Sequence, residues 1–474
     1  NHRMVYCTLP LPIWLMMAAM TRPTVTVPSS RTDLARFYRE HLERVILPFW
    51  LERTLDEERG GLFNCVDDVT GVRVADDKFV WSQARWAWTA AHASRAAERG
   101  VIDVDADRLR RHARLTADFL LEHAFLEGEQ GRGGRENVAS GNATRGNVAR
   151  GNAAYLLTAD GVKKEFLPGK GHDISFFADC FVTLALTGVA RATGEAAYLD
   201  AALDVYRSVR ARLATGSVRS EPYPLPPGAR AHAWPMIMLN VAQELERALR
   251  AAGDPRTDAL ASDALADMDS VLNDFVRPDG LVAEVLVPGD GTSLLARHVT
   301  PGHAIESMWF VMEQAITHGR ADAVDTALRV IAASYELGWD LEHGGLYRYA
   351  VPGPAGPRPT GTADGPFEQL ILDTWDGKIW WPHSETLYAT LLAAEATGDE
   401  RMRALHDQMF AYTFATFPNP DASVGEWIHI RDRHGRPLSK VMGLPVKDPY
   451  HVTRNLLLLT ELLTEGIDGR TTSA

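Results

Sequence analysis

From Ser30 onward one pattern repeats along the chain: Ala, Leu and aromatic residues recur at spacings of three and four, the period of an amphipathic helix. Twelve such segments stand out, at roughly 31–57, 79–99, 105–123, 173–193, 196–214, 232–251, 256–275, 303–319, 321–337, 383–397, 400–416 and 449–464. Short Gly or Asp punctuation separates many of them. Two junctions, "ATGEAAYL" (192–199) and "ATGDERMRAL" (396–405), are near-copies of each other. Repeated helix pairs bury their apolar faces on one another, as a solenoid or a closed ring. Twelve helices in six hairpins predict an all-α fold, an (α/α)6 barrel.

Between helix pairs lie short stretches with β character, each bent at a glycine. They are "GGLFNCVDDVTGVRV" (60–74), "YLLTADGVKKEF" (155–166), "GLVAEVLVPGDG" (280–291), "GGLYRYAV" (344–351) and "WIHIRDRHGRPL" (427–438). Gly at such junctions is hairpin chemistry, because it tolerates positive φ. The insertions precede alternate helices only. Every second helix is therefore expected to start at one elaborated rim of the barrel.

Residues 1–29, with a basic start and a short apolar run broken by prolines, fit a secretion signal only loosely and are read as an unstructured leader. The catalytic domain is expected to span 30–467 as one barrel, followed by a short tail at 468–474. Within it, 131–154 is rich in Gly, Asn and Arg and reads as a mobile surface insertion.

Charge narrows the partners. With 49 basic and 62 acidic residues the net charge is −13, and no run of Lys and Arg offers a face for a nucleic acid. No segment is apolar for long enough to cross a bilayer. Three cysteines, Cys7, Cys65 and Cys180, form neither a disulfide framework nor a CxxC pair, so a reducing cytoplasm is the expected compartment.

The chemistry is expected at the alternate helix starts, where free N–H groups and the positive dipole end collect. There stand Trp81, Gln83 and Arg85; His172, Ser175 and Asp179; His232, with Asn240 two turns on; His303 and Glu306; His383 and Glu385; and His451 and Arg454. Each has a bland reading. A lone His is commonly a cap or a packing residue, and His303 and Glu306, three apart, share a helix face and could simply bond each other. Five histidines at five alternate helix starts are harder to ascribe to packing. The His-x-x-Glu at 303–306 is a poor metal signature, with no HExxH and no third ligand marked by spacing, and no metal is expected. No GxxxxGK[ST], strand-borne GxGxxG or GxSxG is present either.

The segments "GGLFNCVDD", "KFVWSQARWAW", "SFFADCFVTLALTGVARATG", "PMIMLNVAQEL", "PGHAIESMWFVME", "KIWWPHSETLYATLLAAEATGD" and "DPYHVTRNLL" run in order from Gly60 to Leu457. As a set they resemble the N-acylglucosamine 2-epimerase family, which also holds mannose isomerases and cellobiose 2-epimerases. The resemblance implies an (α/α)6 barrel, a sugar substrate and no required cofactor, with a nucleotide (ATP) effector and a homodimer in the epimerase branch. It implies that His303 and His451 are the catalytic histidines, with Arg85 in the "W-x-Q-x-R" segment and Glu306 and Glu385 in support. Two departures concern the substrate: His232-Ala-Trp stands before "PM" where the epimerase branch carries an Arg, and "VKDPYHVTR" replaces a "WKGCFHVPR"-like ending.

The expected chemistry is proton transfer at C2 through an enediol(ate), with neutral histidine as base. Closing the ring is expected to bring the eighth and twelfth helices across the pocket from one another. Arg85 would stabilise the oxyanion, Glu306 and Glu385 would orient a histidine or sugar hydroxyls, and Trp81 would stack on the sugar. An aldose–ketose isomerase uses the same intermediate and is the alternative. A glycoside hydrolase on the same barrel would need Glu306 and Glu385 as flanking carboxylates, and a purely binding role would leave the histidines idle.

Overall fold

The computed structural model describes residues 24–126, 152–289, 291–438 and 446–472, with side chains up to 467. Residues 1–23 of the expected leader, 131–151 of the expected insertion and the side chains of the tail lie outside the described residues.

Among the described residues twelve long helices alternate between two rings. The outer ring holds α1 (Arg31–His41 and Leu47–Arg53, joined by the π-helical Leu42–Ile46), α3 (Ala106–His123), α5 (Ala196–Ala214), α7 (Thr257–Ser270), α9 (Ala321–Gly338) and α11 (Glu400–Thr416). The inner ring holds α2 (Val80–Glu98), α4 (Phe177–Thr193), α6 (Ala233–Ala251), α8 (Pro301–His318), α10 (Trp380–Thr397) and α12 (His451–Thr472). Each inner helix packs on the next, and α12 closes back onto α2. The sequence explains the split. Every residue of α4 from Ala178 to Ala190 is buried, and α10 is buried from Pro382 to Ala393, so these helices are enclosed on all sides. Outer helices such as α3 bury only one stripe.

The repeated junctions work as helix stops. Gly194 and Gly398 close α4 and α10 at φ 73°, in the left-handed region that glycine enters at little cost. Two short helices, Leu294–Arg297 and Pro366–Thr374, follow the insertions at 280–291 and 344–351 and are too short to show a helical period.

The rim insertions only partly form hairpins of their own. Leu156–Leu157 and Lys163–Lys164 pair as expected within 155–166, and the bridges Val66–Arg73 and Arg431–Pro437 close turns within 60–74 and 427–438. Elsewhere an insertion pairs with the residues just before an inner helix: Arg230–Ala231 with Val285–Leu286, and Lys378–Ile379 with Ile430–Arg431. These short ladders tie neighbouring inner-helix starts into one rim. Two buried ion pairs repeat the arrangement: Lys78 Nζ lies 2.7 Å from Asp56 and 2.8 Å from the Gly60 carbonyl, and Lys378 Nζ 3.1 Å from Asp340 and 3.2 Å from the Gly345 carbonyl. Cys65 and Cys180 are buried free thiols, and burial pushes Cys65 up to about 12. No helix among the described residues is long and apolar enough to cross a membrane.

Candidate active site

All six inner helices begin at the elaborated rim, and two of these starts carry the histidines that matter. Pro301 opens α8 with a helix-ready φ. Gly302 follows, and a Cβ there would lie 2.8 Å from both the Trp381 ring and Pro382 Cβ. Glycine thus lets the start of α8 close onto α10. His303 comes next, its ring 5.0 Å from the Trp381 centroid and inclined by 30°. On the other side of α10, His451 opens α12 with its ring 5.7 Å from the same indole. The two histidines were expected to face one another across the barrel. They instead flank α10, two places apart in a ring of six, because inner helices follow one another in chain order. Trp381 stands between them.

Each histidine is held at Nδ1 by a buried carboxylate. His303 Nδ1 is 2.7 Å from Glu284 Oε1, and His451 Nδ1 is 2.6 Å from Glu385 Oε1. A carboxylate only accepts, so Nδ1 carries the proton and the neutral ring keeps its lone pair on Nε2. Burial disfavours charge on His303, but Glu284 outweighs it and raises the pKa; 32% of this side chain reaches solvent against 8% for His451. Burial likewise pushes Glu284 up, yet the histidines around it, His303 first, hold it at about 2.

Glu385 is the more heavily bonded carboxylate. Besides His451 it accepts from Arg454 at 2.6 Å, Asn455 Nδ2 at 2.7 Å and Trp309 Nε1 at 2.8 Å. Burial would raise it, but Arg454 and His451 hold it at about 2. Arg454 also donates to Glu306 Oε1 at 2.8 Å and to the Tyr450 hydroxyl at 3.0 Å. Glu306 turns to Arg454 rather than to His303, and Arg454, expected among the substrate-binding residues, is 2% exposed and pairs with both carboxylates. Glu306, Glu385 and His451 each bring a ligand atom within 4.8 Å of the others. Such a trio could hold a metal, but the Arg454 guanidinium already takes lone pairs of both carboxylates and offsets one of their two charges.

Arg85 lies on the far side of His451. Its guanidinium sits 4.1, 4.7 and 5.1 Å from the Phe181, Trp81 and Tyr450 rings and donates to Asp448 Oδ1 at 3.2 Å. Asp448 Oδ2 accepts from the His451 backbone N–H at 3.1 Å, capping α12. Burial would raise Asp448, but Arg85 holds it at about 2. Trp81 stacks on Phe181 at 5.2 Å, so one of its faces is covered.

Other expected site residues are engaged in holding the wall. Gln83 accepts from Leu62 N–H at 2.6 Å and donates to the Leu62 carbonyl at 3.1 Å. His383 bonds the Ile379 carbonyl at 2.6 Å through Nδ1 and accepts from Leu346 N–H at 3.0 Å, packed against Tyr412 and Phe417. Asp179 accepts from Ala153 N–H at 2.9 Å and pairs with Arg212 at 3.2 Å, and burial raises it to about 6. Ser175 bridges to Ser220, and Asn240 is buried within α6. His232 is wholly buried with neither ring nitrogen hydrogen-bonded; Nδ1 lies 4.0 Å from Glu284, and burial lowers it to about 4. Helix starts share a rim, but only one side of each first turn faces the lumen.

The sequence reading missed Glu284, Asp448 and Trp381. Glu284 had a signal, as the one charge inside the apolar run "LVAEVLV". Asp448 had one too, three residues before His451 at a capping distance. Trp381 was part of "WWPHSE", yet nothing local separates it from its neighbour Trp380.

A closed double ring of helices carries carboxylate-held histidines at the rim where its inner helices begin, and its likeness to known epimerases makes this helical barrel an enzyme of the isomerase class. The N-acylglucosamine 2-epimerase (GlcNAc 2-epimerase) family profile matches residues 142–454, and the chain belongs to that family. It is 29% identical over 445 residues to N-acylglucosamine 2-epimerase of Bos taurus, covering 89% of each chain. Its fold is similar to cellobiose 2-epimerase from Bacillus thermoamylovorans B4167, with TM-score 0.68 and 19% identity over 91% of this chain and 99% of that one. It is similar also to D-mannose isomerase, with TM-score 0.66 and 16% identity over 91% and 98%.

Proposed function

We propose that this chain is a cofactor-independent sugar 2-epimerase that interconverts N-acylglucosamine and N-acylmannosamine, with His303 and His451 as its two acid–base groups. One observation carries the reading: two histidines flank one indole, each bound at Nδ1 to a buried carboxylate. That arrangement fixes the tautomer and leaves Nε2 to exchange a proton with the substrate.

In the open-chain sugar the C2–H bond lies beside the C1 carbonyl. One Nε2 takes the C2 proton, the C–H electron pair forms the C1–C2 double bond, and the carbonyl pair moves onto O1. The other histidine, which enters the cycle protonated on both ring nitrogens, then delivers its Nε2 proton to the opposite face of C2. This inverts that carbon and restores the carbonyl, and the two rings have exchanged roles. No electron is gained or lost overall, so the chemistry calls for no redox cofactor. Arg85 supplies positive charge near O1. Trp81, Ser175, Asn240 and His232 remain candidates for contacts with the rest of the sugar.

Preference for an acylated sugar rests on the full-length likeness to the mammalian epimerase. A nucleotide effector, a homodimer and a cytoplasmic setting extend the same likeness. A hydrolase reading is weaker on electrostatic grounds. Its general acid needs a raised pKa, whereas Glu385 is held at about 2 and shares Arg454 with Glu306.

Proton NMR in D2O tests the proposal, with N-acetylmannosamine, N-acetylglucosamine, mannose, fructose and cellobiose offered separately. Deuterium at C2 together with the C2 epimer of an N-acetyl sugar is the expected result. Conversion of mannose to fructose would replace the proposal with an aldose–ketose isomerase, and no exchange with any sugar would overturn both.

A further inference from the structure

Three rim turns share one backbone shape. Gly60–Gly61, Gly344–Gly345 and Gly425–Glu426 are consecutive pairs at positive φ, and Glu426, at φ 60°, is the one non-glycine residue in that region among the described residues. In each turn the carbonyl of the second residue accepts a backbone N–H, from Asp56, Asp340 and Asn419 respectively. A buried lysine then ties the turn to the start of an inner helix. Lys78 and Lys378, just before α2 and α10, donate to the Gly60 and Gly345 carbonyls and pair with Asp56 and Asp340. Lys447, just before α12, donates to the Trp427 carbonyl at 2.5 Å and lies 2.7 Å from Glu426 Oε2 and 2.6 Å from Asp68 Oδ1. Asn419 stands where the other turns have aspartate, and Glu426 itself brings a carboxylate to the lysine. A side chain at positive φ strains the backbone, and glycine serves there at less cost. What Glu426 adds is its carboxylate.

Glu426 is wholly buried, and its contacts converge on Asp448 by two routes. Lys447 directly precedes Asp448. The Lys447 N–H donates to the Asn64 carbonyl at 2.9 Å, and its carbonyl accepts from Asn64 Nδ2 at 2.8 Å. By the second route Glu426 Oε1 accepts from His429 Nε2 at 3.2 Å, and the His429 ring stacks on Trp380 at 4.4 Å and 13°. Trp380 Nε1 in turn donates to Asp448 Oδ2 at 3.4 Å. Asp448 accepts from Arg85 and from the His451 backbone N–H. We propose that Glu426 is a positioning residue: through Lys447, and through His429 and Trp380, it fixes Asp448 and so sets where Arg85 and His451 stand against the sugar. This rests on the roles given to Arg85 and His451 above. Glu426 touches no reacting atom and acts on geometry alone, where a misplacement of about 1 Å can cost about a hundredfold in rate.

The test compares Glu426→Gly with Glu426→Ala. Both remove the carboxylate and leave Asp68 as partner to Lys447. Glycine accepts positive φ and alanine is strained there, so the glycine variant should unfold at the higher temperature. For epimerisation of N-acetylmannosamine, kcat is expected to fall about tenfold or more in both variants alike, with KM within about threefold of wild type. A folded Glu426→Gly enzyme with wild-type kcat would overturn the proposal, since its backbone is relaxed and only the carboxylate is gone. A double-mutant cycle with Asp448→Asn gives a second readout. If Glu426 acts through Asp448, adding Glu426→Gly to Asp448→Asn lowers kcat by less than about twofold more, whereas losses that multiply overturn the proposal. Failure of the underlying reading is seen separately, as the absence of C2 deuterium exchange by the wild-type enzyme.

Discussion

The two ends of the inner helices use the same residue types to opposite effect. At the N-terminal rim His303 and His451 meet Glu284 and Glu385 through Nδ1, the ring atom nearest the backbone. At the C-terminal end His92 and His318 meet Glu461 and Glu246 through Nε2, the ring tip, at 2.9 and 3.0 Å. There the tip nitrogen is already committed, and arginines bind the same carboxylates, Arg99 on Glu461 and Arg250 on Glu246, while Arg247 pairs with the nearby Glu313. One end leaves two basic nitrogens for a ligand and the other is a closed lattice of ion pairs. A histidine beside a glutamate is therefore no signature of catalysis. Which ring nitrogen is held, and what else holds the carboxylate, separates the two cases.

The sharpest way to break this comparison is to remove a ring at the rim. His303→Gln or His451→Gln should lower kcat by about a thousandfold or more while the protein stays folded, since a positioned acid or base contributes about 10²–10⁴-fold. Epimer formation by NMR, with circular dichroism as the folding control, checks this, and a loss under tenfold in both would remove the distinction.

Arg454→Met comes next, because it leaves Glu306 and Glu385 buried without their cation. Breaking a buried pair in this way costs about 3 kcal/mol or more, to be read from urea unfolding. The loss should shrink as the pH falls and the carboxylates can protonate. Equal stability of variant and wild type at neutral pH would show that the charges are balanced by other groups.

Acid sensitivity gives a smaller effect with a defined sign. Glu284, Glu385 and Asp448 are all held near 2 in the folded protein, below the usual carboxylate range. Folded values below unfolded ones mean that the stability is fully present above about pH 4.5 and is lost as pH falls toward 2. Thermal unfolding between pH 7 and 3 should show the midpoint steady at first and then falling. A midpoint that rises on acidification would contradict the ion-pair assignment.

The smallest effect is expected at the closed end. His318→Gln should cost about 1 kcal/mol of stability through one lost hydrogen bond and leave kcat/KM within about threefold, by the same assays. A large loss of activity there would tie the two ends together functionally.

Much of the architecture could be read from the chain. The three-and-four periodicity gave both rings, and the two near-identical ATG junctions turned out to be the left-handed stops after α4 and α10. The alternation of insertions gave the functional rim. Boundaries were less legible: α4 begins at Phe177, four residues after the expected start at 173, because "DIS" belongs to the bridge with Ser220. The candidate site was legible as a set of helix starts but not as a set of contacts. His303, His451, Arg85, Glu306 and Glu385 converge around Trp381 and Arg454, while Gln83 and His383 turn into the wall and bind backbone. Local sequence places both kinds at the same rim, and the rotation of each first turn about its helix axis then decides which faces the lumen.

By itself, then, the sequence determined the helix periods, the chain-order ring and the rim at which histidines collect, since each of these follows from residue spacing within a few turns. Only the tertiary structure decided that Glu284 rather than Glu306 holds His303, that Glu385 holds His451 under Arg454, and that Trp381 separates the two rings. Those partners lie 19, 66 and 69 residues apart along the chain. Hydrogen bonding and charge compensation act over a few ångströms of space, and no local pattern of residues records which distant segments the barrel will bring within that reach.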